Sequence, residues 1–314
     1  MGLEFVPLGP GGQPVTQAGE AAGRLALLRP AGYLMNHPCY GPYLSAELAD
    51  AAGGRLRIVT YMGATRELRV YEEFFDVARL RARGVTLTAP AVPCLAVAES
   101  ALTLLSALEL GLVPAHLAAR DGAAGSGPGA APGTRRGLFG TTLGIVGLGQ
   151  VGQRVAQLAS AWGMRVCYAS RTRRPGLEDL LGVRYLTLPE LAGHCDHITI
   201  HTPIITTRGL IDQAVLSGAR GITLVNNTAD PLIVEPAALL EALHSGRVRR
   251  VAIEGSYPQP HQRALRELGD RQVLQLPAYT SWGNSPREQE RTWQQQLETY
   301  RAFLAGRRSH DVLA

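Results

Sequence analysis

The chain has 314 residues, enough for two domains of ordinary size. With 46% apolar and 18% charged residues, its composition is that of a globular protein and excludes disorder over most of the length. All basic residues are arginine, and 31 of them against 26 acidic residues give a net charge of +5. Because they are interleaved with acidic residues and form no long block, we expect no nucleic-acid-binding surface.

Strands and helices alternate in the first part of the chain. Apolar runs predict strands at 55–61 and 85–90, and an amphipathic pattern predicts a helix at 70–84. A second helix, at 96–112, is apolar on nearly all sides, which indicates burial between domains. The Gly/Ala/Pro-rich segment 121–137 then marks a boundary in the chain.

The second part of the chain alternates more regularly. Strands are predicted at 142–148, 164–170, 197–203, 221–227, 248–255 and 272–277. Helical patterns such as 153–163 and 236–246 lie between most of them, and this order favours a doubly wound parallel sheet. The tail, 285–306, is a long helix with a polar face, which we expect to return to the first domain.

A glycine-rich turn follows the apolar strand at 142–146. Gly147, Gly149 and Gly152 form the pattern G-x-G-x-x-G, with a helical pattern directly after it. The first glycine permits a tight turn, the second lets the backbone approach a pyrophosphate, and the third lets the helix lie close to the strand. Backbone N–H groups at the helix start, including those of Gln150 and Val151, are expected to hold the phosphates.

The end of the second strand of this unit indicates which nicotinamide cofactor binds. An NAD enzyme usually has Asp or Glu there, which accepts hydrogen bonds from the ribose hydroxyls. This chain instead has Ser170, Arg171, Thr172 and Arg173. Hydroxyl and guanidinium groups suit a 2′-phosphate, so the sequence predicts NADPH. A solvated basic turn with no ligand is the alternative.

Five segments resemble the D-isomer-specific 2-hydroxyacid dehydrogenase family, and in particular its imino-acid reductase branch. They are GLFGTTLGIVGLGQVGQRVAQLASAWGMRVCYASRTRRP at 137–175, HTPIITTRGLI at 201–211, LVNNTADPLIVEPAALLEAL at 224–243, AIEGSYPQP at 252–260 and YRAFLAGR at 300–307. The resemblance implies a smaller flavodoxin-like α/β substrate domain, residues 1–99, to which the helix at 285–314 returns. A doubly wound parallel Rossmann-type domain, residues 100–284, is inserted into it. Hydride transfer in the cleft between the domains and a homodimer are also implied.

The resemblance also assigns residues near the cofactor. By position in the matching segments, Thr202, Pro203 and Thr228 line the dinucleotide. Glu254 stands where the family has an Asp that touches the nicotinamide, and it is expected to position the nicotinamide amide.

The catalytic positions depart from the family pattern. The family works with Arg, Glu and His, whereas this chain has Asp230 at the Arg position and Gln259 at the Glu position. At the His position, Pro277 is followed by Ala278 and then by Tyr279. A ketone reductase needs an acid to protonate the developing alkoxide, so this chain should be a poor 2-keto-acid reductase.

A carbon–nitrogen double bond removes that requirement. An imine is basic enough to arrive protonated, and a carboxylate such as Asp230 then orients the cationic nitrogen or a cationic side chain. The turn Met62, Gly63, Ala64 offers backbone N–H groups for the substrate carboxylate. The interpretation is an NADPH-dependent reductase of acyclic 2-imino acids. The resemblance to the imino-acid reductase branch implies that it yields D-amino acids and that a partner oxidase of the PLP-dependent type supplies the imine.

Two other functions remain open. The chain could be a carbonyl reductase in which Tyr279, with Tyr257 and His37 behind it, replaces the missing acid. It could also bind NADPH without catalysis, as a sensor or partner protein. For Asp230, the alternative role is a cap of the following helix or an Asp-Pro turn.

Other patterns concern location and metals. No run of 18 apolar residues predicts a membrane span, and the start, MGLEFVPLGP, lacks the pattern of a signal peptide. The four cysteines show neither disulfide nor zinc-site spacing. We therefore expect a cytoplasmic protein with no bound metal.

Overall fold

The computed structural model describes residues 31–35, 56–61, 76–88, 95–122, 137–203, 207–227, 230–277, 280 and 286–307. The chain divides into two compact units. Unit 1 comprises residues 1–93 and 286–314, and unit 2 comprises residues 94–285.

Unit 1 contains a small parallel sheet. Its strands are β1 (Ala31–Met35), β2 (Leu56–Tyr61) and β3 (Thr86–Thr88), in the spatial order β1-β2-β3. Sequence reasoning predicted β2 and β3 but named no strand at β1. In the described part of unit 1 two helices accompany the sheet, α1 (Val77–Ala82) and α10 (Pro286–Leu304). The Arg57 guanidinium lies 5.7 Å from the centre of the Phe303 ring, which ties α10 to β2.

The helix predicted at 70–84 is observed as α1 in its described part. Asp76 caps it by accepting the backbone N–H of Arg79 at 3.0 Å. The helix ends before Gly84, whose φ of +69° permits the left-handed turn into β3. Residues 70–75 of the prediction lie outside the described residues.

Unit 2 is built on a seven-stranded, all-parallel sheet. Its strands are β4 (Thr142–Val146), β5 (Arg165–Ala169), β6 (Arg184–Tyr185), β7 (His197–Ile200), β8 (Ile222–Asn226), β9 (Val248–Glu254) and β10 (Val273–Leu276). Their spatial order is β10-β9-β8-β7-β4-β5-β6. Successive strands are therefore added on one side of β4 up to β6 and on its other side from β7 onward. The predicted doubly wound α/β fold is confirmed, and the short edge strand β6 is the one that sequence reasoning missed.

Helices cover both faces of this sheet. They are α2 (Leu95–Leu110), α3 (Leu112–Arg120), α4 (Gln150–Ala161), α5 (Pro175–Leu181), α6 (Leu188–His194), α7 (Gln213–Ser217), α8 (Pro236–His244) and α9 (His261–Glu267). Side chains alternate across a strand, so neighbours such as Ile145 and Val146 enter different cores. Ile145 packs with buried residues of α2 and α4, whereas Val146 packs with those of α6, α7 and α8. The sheet is therefore buried on both faces, as its apolar strands predicted.

The expected division of the chain differs slightly from the observed units. The substrate domain was predicted to end at residue 99, but α2 runs without a break from Leu95 to Leu110. The structural division lies before this helix, between residues 93 and 94, and again between 285 and 286. Residues 95–99 therefore belong to unit 2, together with the rest of their helix.

Within the described part of the chain, no single helix is long and apolar enough to span a membrane. The bent pair Ala96–Leu110 and Leu112–Arg120, with a 59° angle between its helices, meets the length and composition criteria together.

Candidate cofactor site and active site

Most of the predicted site residues of unit 2 follow the carboxyl ends of its strands. Gly147 follows β4, Ser170 follows β5, Thr202 follows β7, Asp230 follows β8, and Glu254 ends β9. Because all seven strands are parallel, these ends share one edge of the sheet. In open α/β sheets this edge, where the strand order reverses, is where ligands bind.

The glycine turn after β4 is closely packed. Gly147 has a φ of +96°, and a Cβ there would lie 2.5 Å from the carbonyl oxygen of His201 and 2.8 Å from Cγ2 of Thr202. A Cβ on Gly152 would lie 2.1 Å from the carbonyl oxygen of Gly147. The first glycine is therefore needed for the turn and the third for the contact between α4 and the turn, as the motif predicted.

Gly149, in contrast, faces open space. It is the N-cap of α4 with an extended backbone (φ −75°, ψ −165°), no side chain caps this end, and a Cβ would meet no atom within 4 Å. The N–H groups of Gln150 and Val151 open the helix beside it. A helix start whose N-cap residue has no side chain fits a pyrophosphate, because the first N–H groups of the helix and the helix dipole both favour an anion.

The loop after β5 is held by a chain of polar contacts. Ser170 Oγ donates to the carbonyl of Thr172 at 2.7 Å. Arg173 donates from Nε and Nη2 to the two carboxylate oxygens of Glu178, each at 2.9 Å. Arg171 is exposed. The hydrogen bonds from Arg173 lower the pKa of Glu178, so this carboxylate stays ionised. Sequence reasoning missed the pairing, although the short separation of the two residues could have suggested it.

His201 follows β7 and lies beside the glycine turn. Its Nε2 is 3.0 Å from Thr199 Oγ1, and desolvation lowers the pKa of the imidazole to about 3. The ring is therefore neutral near pH 7 and does not act as a proton donor of the imidazolium type. Next to it, Thr202 Oγ1 and Thr207 Oγ1 are 3.0 Å apart, and Thr207 donates to the carbonyl of Pro203 at 2.6 Å.

Asp230 has a structural role that one of its two predictions described. Its Oδ1 accepts the backbone N–H of Leu232 at 2.8 Å and caps the short 3₁₀ helix Pro231–Ile233. Asn226 Nδ2 donates to the backbone carbonyl of Asp230 at 3.2 Å, which fixes the turn after β8. Among the described residues, none donates a hydrogen bond to Oδ2. The cap thus occupies Oδ1 of the carboxylate, and Oδ2 can still accept a hydrogen bond from a ligand.

Tyr257 lies three residues after the end of β9, in a buried position. Its hydroxyl is buried and donates to the carbonyl of Val234 at 3.2 Å. Burial raises the pKa of this phenol, and the negative charge of Asp230 raises it further. Tyr257 is therefore a poor proton donor, against the expectation that it supports a replacement acid. Glu254 is fully buried at the strand end, and Gln259 is exposed.

Several predicted site residues lie outside the described residues. They are His37, Met62, Gly63, Ala64, Thr228 and Tyr279. Within the described ranges, no group of three His, Cys, Asp or Glu side chains is arranged to hold a metal ion.

Comparison with known proteins identifies the family. The sequence profile of the D-isomer specific 2-hydroxyacid dehydrogenase NAD binding domain matches residues 103–277, which is more than half of the chain. The chain belongs to the D-isomer-specific 2-hydroxyacid dehydrogenase family. The match covers the sheet of unit 2 and its glycine turn, so this family's dinucleotide-binding domain is the one described above.

Relatives with assigned activities are moderately similar. A glyoxylate reductase of Aeropyrum pernix is 37% identical over 124 residues, which is 39% of this chain and 37% of the relative. A D-3-phosphoglycerate dehydrogenase of Mycobacterium tuberculosis is 32% identical over 259 residues, 82% of this chain and 46% of the relative. The chain spans less than two thirds of the length of the curated relatives it matches.

Solved structures of this family share the fold. An acyclic imino acid reductase, Bsp5, in complex with NADPH and D-Arg, superposes with a TM-score of 0.75 at 21% identity. The superposition covers 94% of this chain and 89% of the neighbour. At this identity the likeness establishes the fold of the chain.

Proposed function

We propose that the protein is an NADPH-dependent reductase that converts acyclic 2-imino acids into D-amino acids. The observation that carries the proposal is the carboxylate of Asp230 at the ligand-binding edge of the sheet, where the family resemblance expects an arginine. A keto acid and a 2-imino acid both carry a carboxylate, but only the protonated imino acid also carries a positive nitrogen, which an anion at this position attracts, as it would a cationic side chain. The D configuration follows the hydride face that the resemblance implies.

The cofactor residues have distinct roles in this proposal. NADPH, when bound, supplies the hydride. The N–H groups at the start of α4, beside Gly149, hold its pyrophosphate, and Arg171 and Arg173 with the neighbouring hydroxyls hold the 2′-phosphate. Glu178, the nearest carboxylate along the chain, is engaged by Arg173, which supports NADPH over NADH.

The proton balance supports an imine as substrate. Reduction of a ketone needs an acid, whose contribution is about 10²- to 10⁴-fold in rate. Two described side chains that follow the strand ends are poor acids, since His201 is neutral and Tyr257 is buried with a raised pKa. An iminium carries its proton already, so Asp230 needs only to stabilise positive charge until the hydride neutralises it.

The partners remain part of the proposal. We expect a homodimer and an amino-acid oxidase, of the PLP-dependent type, that releases the short-lived imine. A cationic side chain on the substrate would suit Asp230. Bsp5, the imino acid reductase of this fold, is known in complex with D-Arg, which is consistent with such a substrate.

A second candidate is a 2-keto-acid reductase. The sequence relatives named glyoxylate reductase favour it. In that function Tyr279, next to the position of the family's histidine, would have to replace the missing proton donor.

Turnover with an imine and with the corresponding keto acid distinguishes the two. NADPH oxidation is followed with a 2-keto acid alone, and with an amino acid plus an amino-acid oxidase and catalase. We expect the imine-generating mixture to react about 100-fold faster, because it needs no general acid. Chiral chromatography should identify the D-amino acid. Faster turnover with the keto acid would refute the proposal, and tight NADPH binding without turnover would favour a sensor.

The charge of Asp230 can be tested without losing its cap. Asp230→Asn retains an Oδ1 that accepts from Leu232, so its melting temperature should match that of the wild type. Turnover of the imine should fall about 100-fold, because the charge is gone, while NADPH affinity stays the same. Asp230→Ala is the control for the cap and should also lose about 1 kcal/mol of stability. An unchanged rate in Asp230→Asn would make the residue structural only.

A further inference from the structure

We propose that Tyr168 and Glu178 are positioning residues that set the cofactor preference by holding Arg173 ready for the 2′-phosphate of NADPH. The inference rests on the proposed NADPH dependence and deepens it. The residues involved, called here the Tyr168 clamp, are Tyr168, Arg173, Glu178 and Tyr185.

Tyr168 anchors the clamp in the core. It is fully buried in β5, and its hydroxyl donates to Glu178 Oε1 at 2.8 Å. The same hydroxyl oxygen accepts the backbone N–H of Arg174 at 2.8 Å. One buried phenol therefore fixes both the carboxylate of α5 and the backbone of the loop that precedes this helix.

Glu178, held in this way, in turn fixes the side chain of Arg173. The two carboxylate oxygens accept from Nε and Nη2, which is the bidentate geometry that fixes both distance and plane. The guanidinium also lies 5.8 Å from the centre of the Tyr185 ring, and that ring stands edge-on to Tyr168 with centroids 5.4 Å apart. The direction of the Arg173 side chain is thus set from two sides.

The clamp leaves one edge of the guanidinium accessible. The Arg173 side chain is 61% exposed, whereas that of Glu178 is 14% exposed. Nη1 takes no part in the bidentate pair, so its N–H groups can donate to a phosphate. A flexible arginine loses rotamer freedom on binding a ligand, and one that is already held loses less, which strengthens binding.

A positioning role and a simple charge effect predict opposite changes in NADPH affinity when the Glu178 carboxylate is removed. If Glu178 were only a nearby negative charge, its removal would strengthen the binding of a 2′-phosphate that carries negative charge itself. If Glu178 holds Arg173, its removal frees the guanidinium and weakens binding. Glu178→Gln keeps the size of the side chain, so the direction of the change separates the two.

The experiment measures the dissociation constants of NADPH and NADH by fluorescence titration. We expect Glu178→Gln and Tyr168→Phe each to weaken NADPH binding about fivefold to tenfold, while NADH binding changes less than twofold. Asp179→Asn removes an adjacent, exposed carboxylate of α5 and serves as the control, with NADPH binding unchanged or slightly stronger. In an Arg173→Ala background, Glu178→Gln should have no further effect, because it acts through Arg173.

The outcomes distinguish this inference from the proposed function. A wild type that binds NADH as tightly as NADPH would overturn the cofactor assignment and the inference with it. A wild type that prefers NADPH, with Glu178→Gln binding NADPH as tightly or more tightly, would overturn the inference alone. Equal weakening of both cofactors in Glu178→Gln and Tyr168→Phe would show a general structural role, and would also overturn it.

Discussion

Gly149→Ala is expected to leave the protein folded and to weaken NADPH binding by about 100-fold or more. Its backbone is extended, and an added Cβ meets no protein atom within 4 Å. The methyl group would instead stand where the pyrophosphate approaches the N–H groups of α4. Loss of two charge-assisted hydrogen bonds costs about 3 kcal/mol or more. Fluorescence titration measures the affinity, and thermal unfolding without cofactor measures the stability.

Gly152→Ala, unlike Gly149→Ala, is expected to lower the stability of the fold as well as the NADPH affinity. Its Cβ would lie 2.1 Å from the carbonyl oxygen of Gly147, so α4 must shift, and both the melting temperature and NADPH affinity should fall. Gly137→Ala, at another site with no atom within 4 Å, is the control and should change neither. Wild-type affinity in Gly149→Ala would show that the pyrophosphate does not approach this turn.

Glu109→Ala is expected to lower the free energy of unfolding of unit 2 by about 3–5 kcal/mol. The Glu109 side chain is fully buried at the amino ends of the strands. Its carboxylate accepts from Thr223 Oγ1, lies 3.2 Å from Arg250 Nη1, and lies 3.5 Å from Arg249 Nη2. His197 Nδ1 is 3.6 Å away. Removing the carboxylate takes away the buried acceptor that these groups share, and breaking a buried charged cluster from one side is costly.

Denaturant unfolding followed by circular dichroism measures this loss. Glu99→Ala removes an exposed carboxylate from the same helix and should cost less than 1 kcal/mol. The Glu109 cluster lies at the sheet edge opposite the glycine turn, so the folded fraction of Glu109→Ala should bind NADPH with wild-type affinity. Equal stability losses in the two variants would show that the cluster contributes nothing beyond helix propensity.

Features of the protein that depend on local pattern can be predicted from the residues alone. The apolar run before Gly147 predicts a buried strand, and three glycines at fixed spacing predict the turn that joins it to α4. The left-handed φ of Gly147 and the contact between Gly152 and Gly147 depend on the nearest few residues, so they can be inferred from the chain alone. The family resemblance rests on the same segments, and the profile match at 103–277 confirmed it.

The roles of the polar side chains, in contrast, follow from contacts that form only when the chain folds. The sequence left Asp230 as either a charge for the substrate or a cap, and the structure shows that the cap uses one oxygen. Tyr257 was a candidate acid until its burial and its hydrogen bond were known. No role was predicted for Glu109, because its partners lie about 90 to 140 residues away in the chain. Burial, pKa and pairing depend on neighbours that only folding brings together, and no local pattern contains them.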